Sequence, residues 1–62
     1  MELVIRDMTC GGCAKAVTRL VTRLDPGATV EIDLPTQRVS ITSSHPDAEV
    51  RETLSRGGFP PA

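Results

Sequence analysis

The chain has 62 residues, 39% apolar and 24% charged, a balance that predicts one folded domain over residues 1–62 and not a disordered segment. A formal net charge of −1, one Phe and no Tyr or Trp exclude the basic, aromatic-bearing surface of a nucleic-acid binder. No apolar run approaches the roughly 18 residues that span a bilayer, and no leader pattern opens the chain, so membrane insertion is not expected and the expected location is the cytoplasm.

Leu3, Val4 and Ile5 lie in a run from Glu2 to Arg6 that reads as a strand, with Leu3 and Ile5 on one face. Thr9 to Gly12 is expected to form a small flexible loop. Beyond it Cys13, Val17, Leu20, Val21 and Leu24 recur at helical spacing and make one apolar stripe, which puts Cys13 in the first turn of a helix. The outward face carries Lys15, Thr18, Arg19, Thr22 and Arg23, with three cations and no acid among them.

Asp25-Pro26-Gly27 stops that helix, after which Val30, Ile32 and Leu34 alternate with Thr29, Glu31 and Asp33 in a half-buried strand. Pro35-Thr36-Gln37 turns the chain into a second hairpin arm, where Val39 and Ile41 alternate with Arg38, Ser40 and Thr42. Ser44, with Asp47 three residues on and Pro46 near the first helical position, starts a second helix whose Ala48, Val50 and Leu54 point inward. Gly57-Gly58 ends it, and Phe59-Pro60-Pro61-Ala62 is left for a short extended edge, since two prolines remove donors. The order β-α-β-β-α with a very short last strand predicts an α+β fold, a ferredoxin-like βαββαβ sandwich with two helices on one face of an antiparallel sheet.

Both cysteines stand three positions apart in Met8-Thr9-Cys10-Gly11-Gly12-Cys13. Two thiols at that spacing close on one metal ion or on each other, so metal binding and thiol redox chemistry both start from this pair. A helix N-terminus favours thiolate at Cys13, and Gly11 and Gly12 are expected to lend backbone freedom that lets Cys10 swing toward it. Two thiolates suit the low coordination number of Cu(I) and leave Zn(II) short of its four ligands. Met8 reads as a core filler that holds the loop, Phe59 as a core aromatic and His45 as a solvated cap residue. Asp7 reads as a solvated turn residue, although a carboxylate in reach of the site would help complete a Zn(II) or Cd(II) shell. A thiol–disulfide oxidoreductase is the competing class. The chain lacks the longer α/β scaffold and the aromatic surroundings typical of thioredoxin-like active cysteines.

Met8 to Cys13 resembles the Met-x-Cys-x-x-Cys signature of heavy-metal-associated domains, the family of small copper chaperones. The likeness covers nearly the whole chain, including Cys13-Ala14-Lys15-Ala16-Val17, the hairpin and the ending Gly58-Phe59-Pro60-Pro61-Ala62. It implies a binding and transfer protein, not an enzyme. Cu(I), one ion per monomer or one shared between chains, would be held by Cys10 and Cys13. The ion would be delivered by ligand exchange to the metal-binding domain of a copper-transporting P-type ATPase, docked through Lys15, Arg19 and Arg23. The metal-free chain is expected to be a monomer, with a metal-bridged dimer as the shared form. Carriers of Zn(II), Cd(II) or Hg(II) on the same fold are the alternative. Phe59 matches the position where the family carries Tyr, Phe or Lys beside the metal loop, and Asp7 stands where the family usually carries Gly.

Overall fold

A computed structural model of residues 1–62 contains β1 (Glu2–Val4), α1 (Gly11–Leu24), β2 (Thr29–Asp33), β3 (Arg38–Thr42) and α2 (Asp47–Arg56). Period-two alternation makes the sheet two-sided: Val39 and Ile41 of β3 are buried, whereas Arg38, Ser40 and Thr42 face water. β3 is the central strand, with β1 and β2 both antiparallel to it. Its register sets Leu3 and Ile32 on either side of Val39, and Val30 beside Ile41. The inner face is therefore a continuous apolar row, the arrangement that cross-strand packing rewards.

Both helices cover that face. α1 buries Val17 and Val21, and α2 buries Val50 and Leu54. With Leu3, Ile5, Met8, Val39 and Ile41 they complete the core, in which no polar side chain is buried. Fully burying such side chains contributes about 1.5–3 kcal/mol each before chain entropy is charged against it. The α2 stripe runs through Val50 and Leu54, which turns Ala48 to the solvent side, so the expected inward Ala48 is exposed.

Local hydrogen bonding shifts several expected boundaries. β1 ends at Val4 and not at Arg6, although Ile5 stays fully buried and still donates its N–H to the Gln37 carbonyl at 2.9 Å. α1 begins at Gly11, two residues before Cys13, because the Ala14 N–H reaches the Cys10 carbonyl at 3.1 Å and closes a helical turn over the glycines. Ser44 caps no helix: its N–H and hydroxyl go to Asp25 Oδ2 at 3.2 and 3.4 Å, and Pro46 takes the cap position of α2.

That carboxylate ties three segments together. Asp25 also accepts from the Ser43 hydroxyl at 2.7 Å and from the Gly27 N–H at 3.0 Å, joining the end of α1 to the β3–α2 link. The Ser43 hydroxyl bond, then the Ser44 and Gly27 amides, hold its pKa below the usual carboxylate range.

α2 ends in a Schellman arrangement, with the Phe59 N–H on the Leu54 carbonyl at 2.9 Å and the Gly58 N–H on that of Ser55 at 3.2 Å. Gly58 holds φ at 92°, a left-handed conformation that a Cβ makes costly. The expected last strand shrinks to one bond, from the Ala62 N–H to the Val4 carbonyl at 2.7 Å on the outer edge of β1.

Gly58→Ala should lower the free energy of unfolding by about 1–2 kcal/mol, the cost of a left-handed L-residue. Gly11→Ala, where an added Cβ meets nothing within 4 Å, should leave it equal or raised by about 0.4–1 kcal/mol. Urea titration measures both, and equal losses in the two variants would contradict this reading of the helix ends.

Candidate metal centre

The site is built at the junction where β1 hands the chain to α1. Arg6 and Asp7 form a turn closed by the Met8 N–H on the Ile5 carbonyl at 3.2 Å. Met8 is fully buried, as a core filler should be, so its thioether lies inside the core. The next residues rise out of the core: Thr9 and Cys10 are exposed and Cys13 is half-buried. Cys10 is the N-cap of α1, extended at φ −150° and ψ 171°, and Cys13 is the third helical residue.

The two sulfurs are brought together. Cys10 Sγ donates to Cys13 Sγ at 3.3 Å, well beyond the S–S bond length of about 2.05 Å, and both thiols are free. A tetrahedral ion with Zn–S bonds of about 2.3 Å would hold two sulfurs about 3.8 Å apart, and a linear ion would hold them farther apart still. The pair therefore has to open by about 0.5 Å to take a tetrahedral ion and by more to take a linear one. Cys10, exposed and extended, is the side free to move. Gly11 and Gly12 are helical and neither has positive φ, so the flexible-loop expectation fails here.

Hydrogen bonding favours the charged form of Cys13. Its pKa is lowered chiefly by backbone hydrogen bonding from Thr9, then by the Cys10 thiol; partial burial opposes this, and the Cys10 backbone and Thr9 hydroxyl add to the lowering. α1 also has no side-chain cap and no acid in its first turn, so its N-terminal amides leave a positive field beside the sulfurs.

Other candidate residues stand apart. Nowhere do three or more His, Cys, Asp or Glu side chains converge to hold an ion, so exposed Asp7 adds no carboxylate to the cysteine pair in this conformation. His45 Nδ1 lies 3.0 Å from Glu49 Oε1 at the start of α2, a local pair. Phe59 is half-buried against the core and borders a cleft with Ala16, Arg19, Leu20, Arg23 and Gly57, along α1 beyond Cys13. Lys15, Arg19 and Arg23 are exposed and take part in none of the ion pairs, which join Arg38 to Glu2, His45 to Glu49 and Arg56 to Glu52.

Two contributors escape a sequence reading. Thr9, whose backbone and hydroxyl help hold the Cys13 pKa down, carries no spacing signal. Gln37, read only as a turn residue, donates its amide Nε2 to the Arg6 carbonyl at 2.9 Å and, at a longer 3.5 Å, to that of Met8. These bonds span 31 and 29 residues of sequence, so no local signal announces them.

A ferredoxin-like α+β fold with a free dithiol at the lip of its first helix is the class of protein that this fold and site define. The model of the heavy-metal-associated domain matches residues 2–60, and the chain belongs to that family. It is 46% identical over 52 residues to the Copper transport protein ATOX1 of Homo sapiens, covering 84% of this chain and 75% of that one. Among solved structures, Copper chaperone Atx1 from Synechocystis superposes with a TM-score of 0.97 at 32% identity, covering 100% of this chain and 98% of that one. A gold binding protein superposes at a TM-score of 0.96 and 41% identity, covering 98% and 94%.

A lowered pKa keeps Cys13 as thiolate to lower pH than an ordinary thiol. Iodoacetamide alkylation of Cys13 in the metal-free protein, followed by peptide mass spectrometry, should reach half its limiting rate at a lower pH than alkylation of the same cysteine in the urea-unfolded chain. A midpoint equal to or above that of the unfolded chain would contradict the hydrogen-bonding assignment.

Proposed function

We propose that this chain, a single domain over residues 1–62, is a cytoplasmic Cu(I) metallochaperone in which Cys10 and Cys13 hold the ion. It passes the ion by thiolate exchange to the metal-binding domain of a copper-transporting P-type ATPase. The observation that carries this reading is the pair of free thiols at 3.3 Å, Cys10 exposed and Cys13 half-buried, with no third His, Cys, Asp or Glu converging on it. Two soft ligands satisfy Cu(I) while leaving its coordination open, so an incoming thiolate adds before an outgoing one leaves. The protein makes and breaks only metal–sulfur bonds and acts as a carrier, not an enzyme. The copper proteins among its relatives support the choice of ion. One ion per monomer is the simplest loading, and the exposure of Cys10 also lets a second chain share it.

Lys15, Arg19 and Arg23 recur every four residues along α1 and form a ridge about 12 Å long on its outward face, beginning in the same turn as Cys13. Exposed and free of intramolecular acids, this ridge steers an acidic partner face toward the sulfurs. The likeness to a gold binding protein supports a second reading, a carrier of another soft ion such as Hg(II), on the same two sulfurs. Zn(II) and Cd(II) prefer ligands beyond the pair, and a thiol–disulfide oxidoreductase would need reductase activity from it.

Anaerobic competition among Cu(I), Zn(II) and Hg(II), followed by transfer to a copper-ATPase metal-binding domain, tests the proposal. Cu(I) should bind in preference to Zn(II), and Cys10→Ser/Cys13→Ser should lose tight binding. The transfer rate should fall as salt rises past 0.1 M, where the screening length is about 10 Å. Tight Cu(I) binding by the double variant would overturn the ligand assignment, preferential Hg(II) transfer would favour the second reading, and a salt-independent rate would remove the ridge from it.

A further inference from the structure

Gln37 holds the β2–β3 turn in a conformation that suits another residue better. Its φ is 60°, the left-handed region that Gly or Asn usually fills in tight turns, and it is the one residue other than Gly with positive φ. The turn closes without help from its side chain, through the Gln37 N–H on the Leu34 carbonyl at 3.1 Å, with Pro35 at the position that favours such a turn. The long amide is thus not explained by the turn.

It is explained by what the amide reaches. The Gln37 carbonyl accepts from the Ile5 N–H at 2.9 Å, and its Nε2 donates to the Arg6 carbonyl at 2.9 Å. The second N–H of the same amide points to the Met8 carbonyl at 3.5 Å, a weak contact. Only the NH2 end can serve two carbonyls, so the amide orientation is fixed by its partners. Gln37 thereby contacts three of the four residues from Ile5 to Met8, the segment that leads into Thr9 and Cys10. Beyond the burial of Ile5 and Met8, that segment has few other hydrogen-bonded ties: it lies outside β1, its turn is closed by the one Met8-to-Ile5 bond, and Asp7 is exposed.

We infer that Gln37 is a positioning residue of the metal site, stitching the loop that presents Cys10 to Cys13 onto the β2–β3 turn. Met8 anchors the loop by burial on one side, and the Gln37 amide fixes its backbone on the other. The sulfur-to-sulfur approach then depends on a side chain that touches neither cysteine. Loss of the amide lets the loop open more often, which exposes the ion to competing thiols and speeds its release. The release arm of this inference rests on Cys10 and Cys13 being the ligands; the loop arm does not.

The test uses the whole chain with Gln37→Gly, which relieves the left-handed backbone while removing the amide, and Gln37→Glu, which keeps the side-chain length without the donors. In the metal-free protein, hydrogen exchange of the Met8 amide, whose bond to the Ile5 carbonyl reports loop closure, should accelerate roughly 3- to 10-fold in both variants, the effect of one lost hydrogen bond. Amides of Val50 and Leu54 in α2 should change less than twofold. Cu(I) release to a chromogenic chelator should accelerate by a similar factor. Unchanged Met8 exchange in either variant overturns the inference, as does an equal acceleration at Met8, Val50 and Leu54, which would mean global destabilisation. Accelerated Met8 exchange with unchanged Cu(I) release confines Gln37 to the loop and overturns its role at the site. Tight Cu(I) binding by Cys10→Ser/Cys13→Ser would instead sink the ligand assignment and leave the exchange result standing.

Discussion

The burial of Met8 is the constraint on which the arrangement of this site rests. An unbranched apolar side chain fully inside the core forces the chain down between β1 and α1 just before Cys10. Truncating a buried Met to Ala typically costs about 2–5 kcal/mol, a large share of the roughly 5–15 kcal/mol that holds an entire domain together. With Met8 pinned inward, the chain must climb back out, which leaves Cys10 exposed at the cap of α1 and Cys13 at the edge of the core. The same descent sets the start of α1, so Val17 and Val21 land on the inner face of the sheet. Core and site share one anchor: what stabilises the fold also presents the sulfurs.

The two ends of α1 are treated differently, and the difference is electrostatic. At the C-terminal end the Asp25 carboxylate accepts hydrogen bonds from Gly27, Ser43 and Ser44, closing the turn firmly. Its pKa is depressed, so this tie is present above the ordinary carboxylate range and is lost as pH falls through the lower folded value; near neutral pH it is intact. At the N-terminal end no side chain caps the helix, and its free amides leave a positive field where the cysteines stand. An Asp or Ser cap there would stabilise the helix by about 1 kcal/mol, and a cysteine stands in that place. Stability is forgone at the end where a metal ion would bind and secured at the other.

Much of this was legible in the sequence, and the gaps have physical causes. Alternation in Val30–Leu34 and Val39–Ile41 gave the hairpin because one-sided burial imposes a period of two, and the stripe from Val17 to Leu24 gave α1 for the corresponding helical reason. Two cysteines at i and i+3 beside a helix start were enough to find the dithiol. Gly11 and Gly12 read as loop because Gly is a poor helix former in general, yet they open α1, where the first helical positions already lack intrahelical partners for their amides. Ser44 carried a capping pattern, but its groups went to Asp25, nineteen residues earlier in the chain. Gln37 was invisible as a contributor for the same reason: a side-chain amide that bonds backbone far away leaves no periodicity behind. Local pattern reveals faces and spacings; long-range polar ties appear only when the chain has folded.

In the proposed carrier two sulfurs alone, presented by a buried methionine that is not itself a ligand, hold the ion. X-ray absorption spectroscopy of the Cu(I)-loaded protein, at a dilution where it is monomeric, distinguishes this from a larger ligand set, with Met8→Leu measured alongside. Two sulfur scatterers per copper in both proteins is the predicted result. A third sulfur that disappears with Met8→Leu, or an oxygen scatterer in the shell, would contradict it.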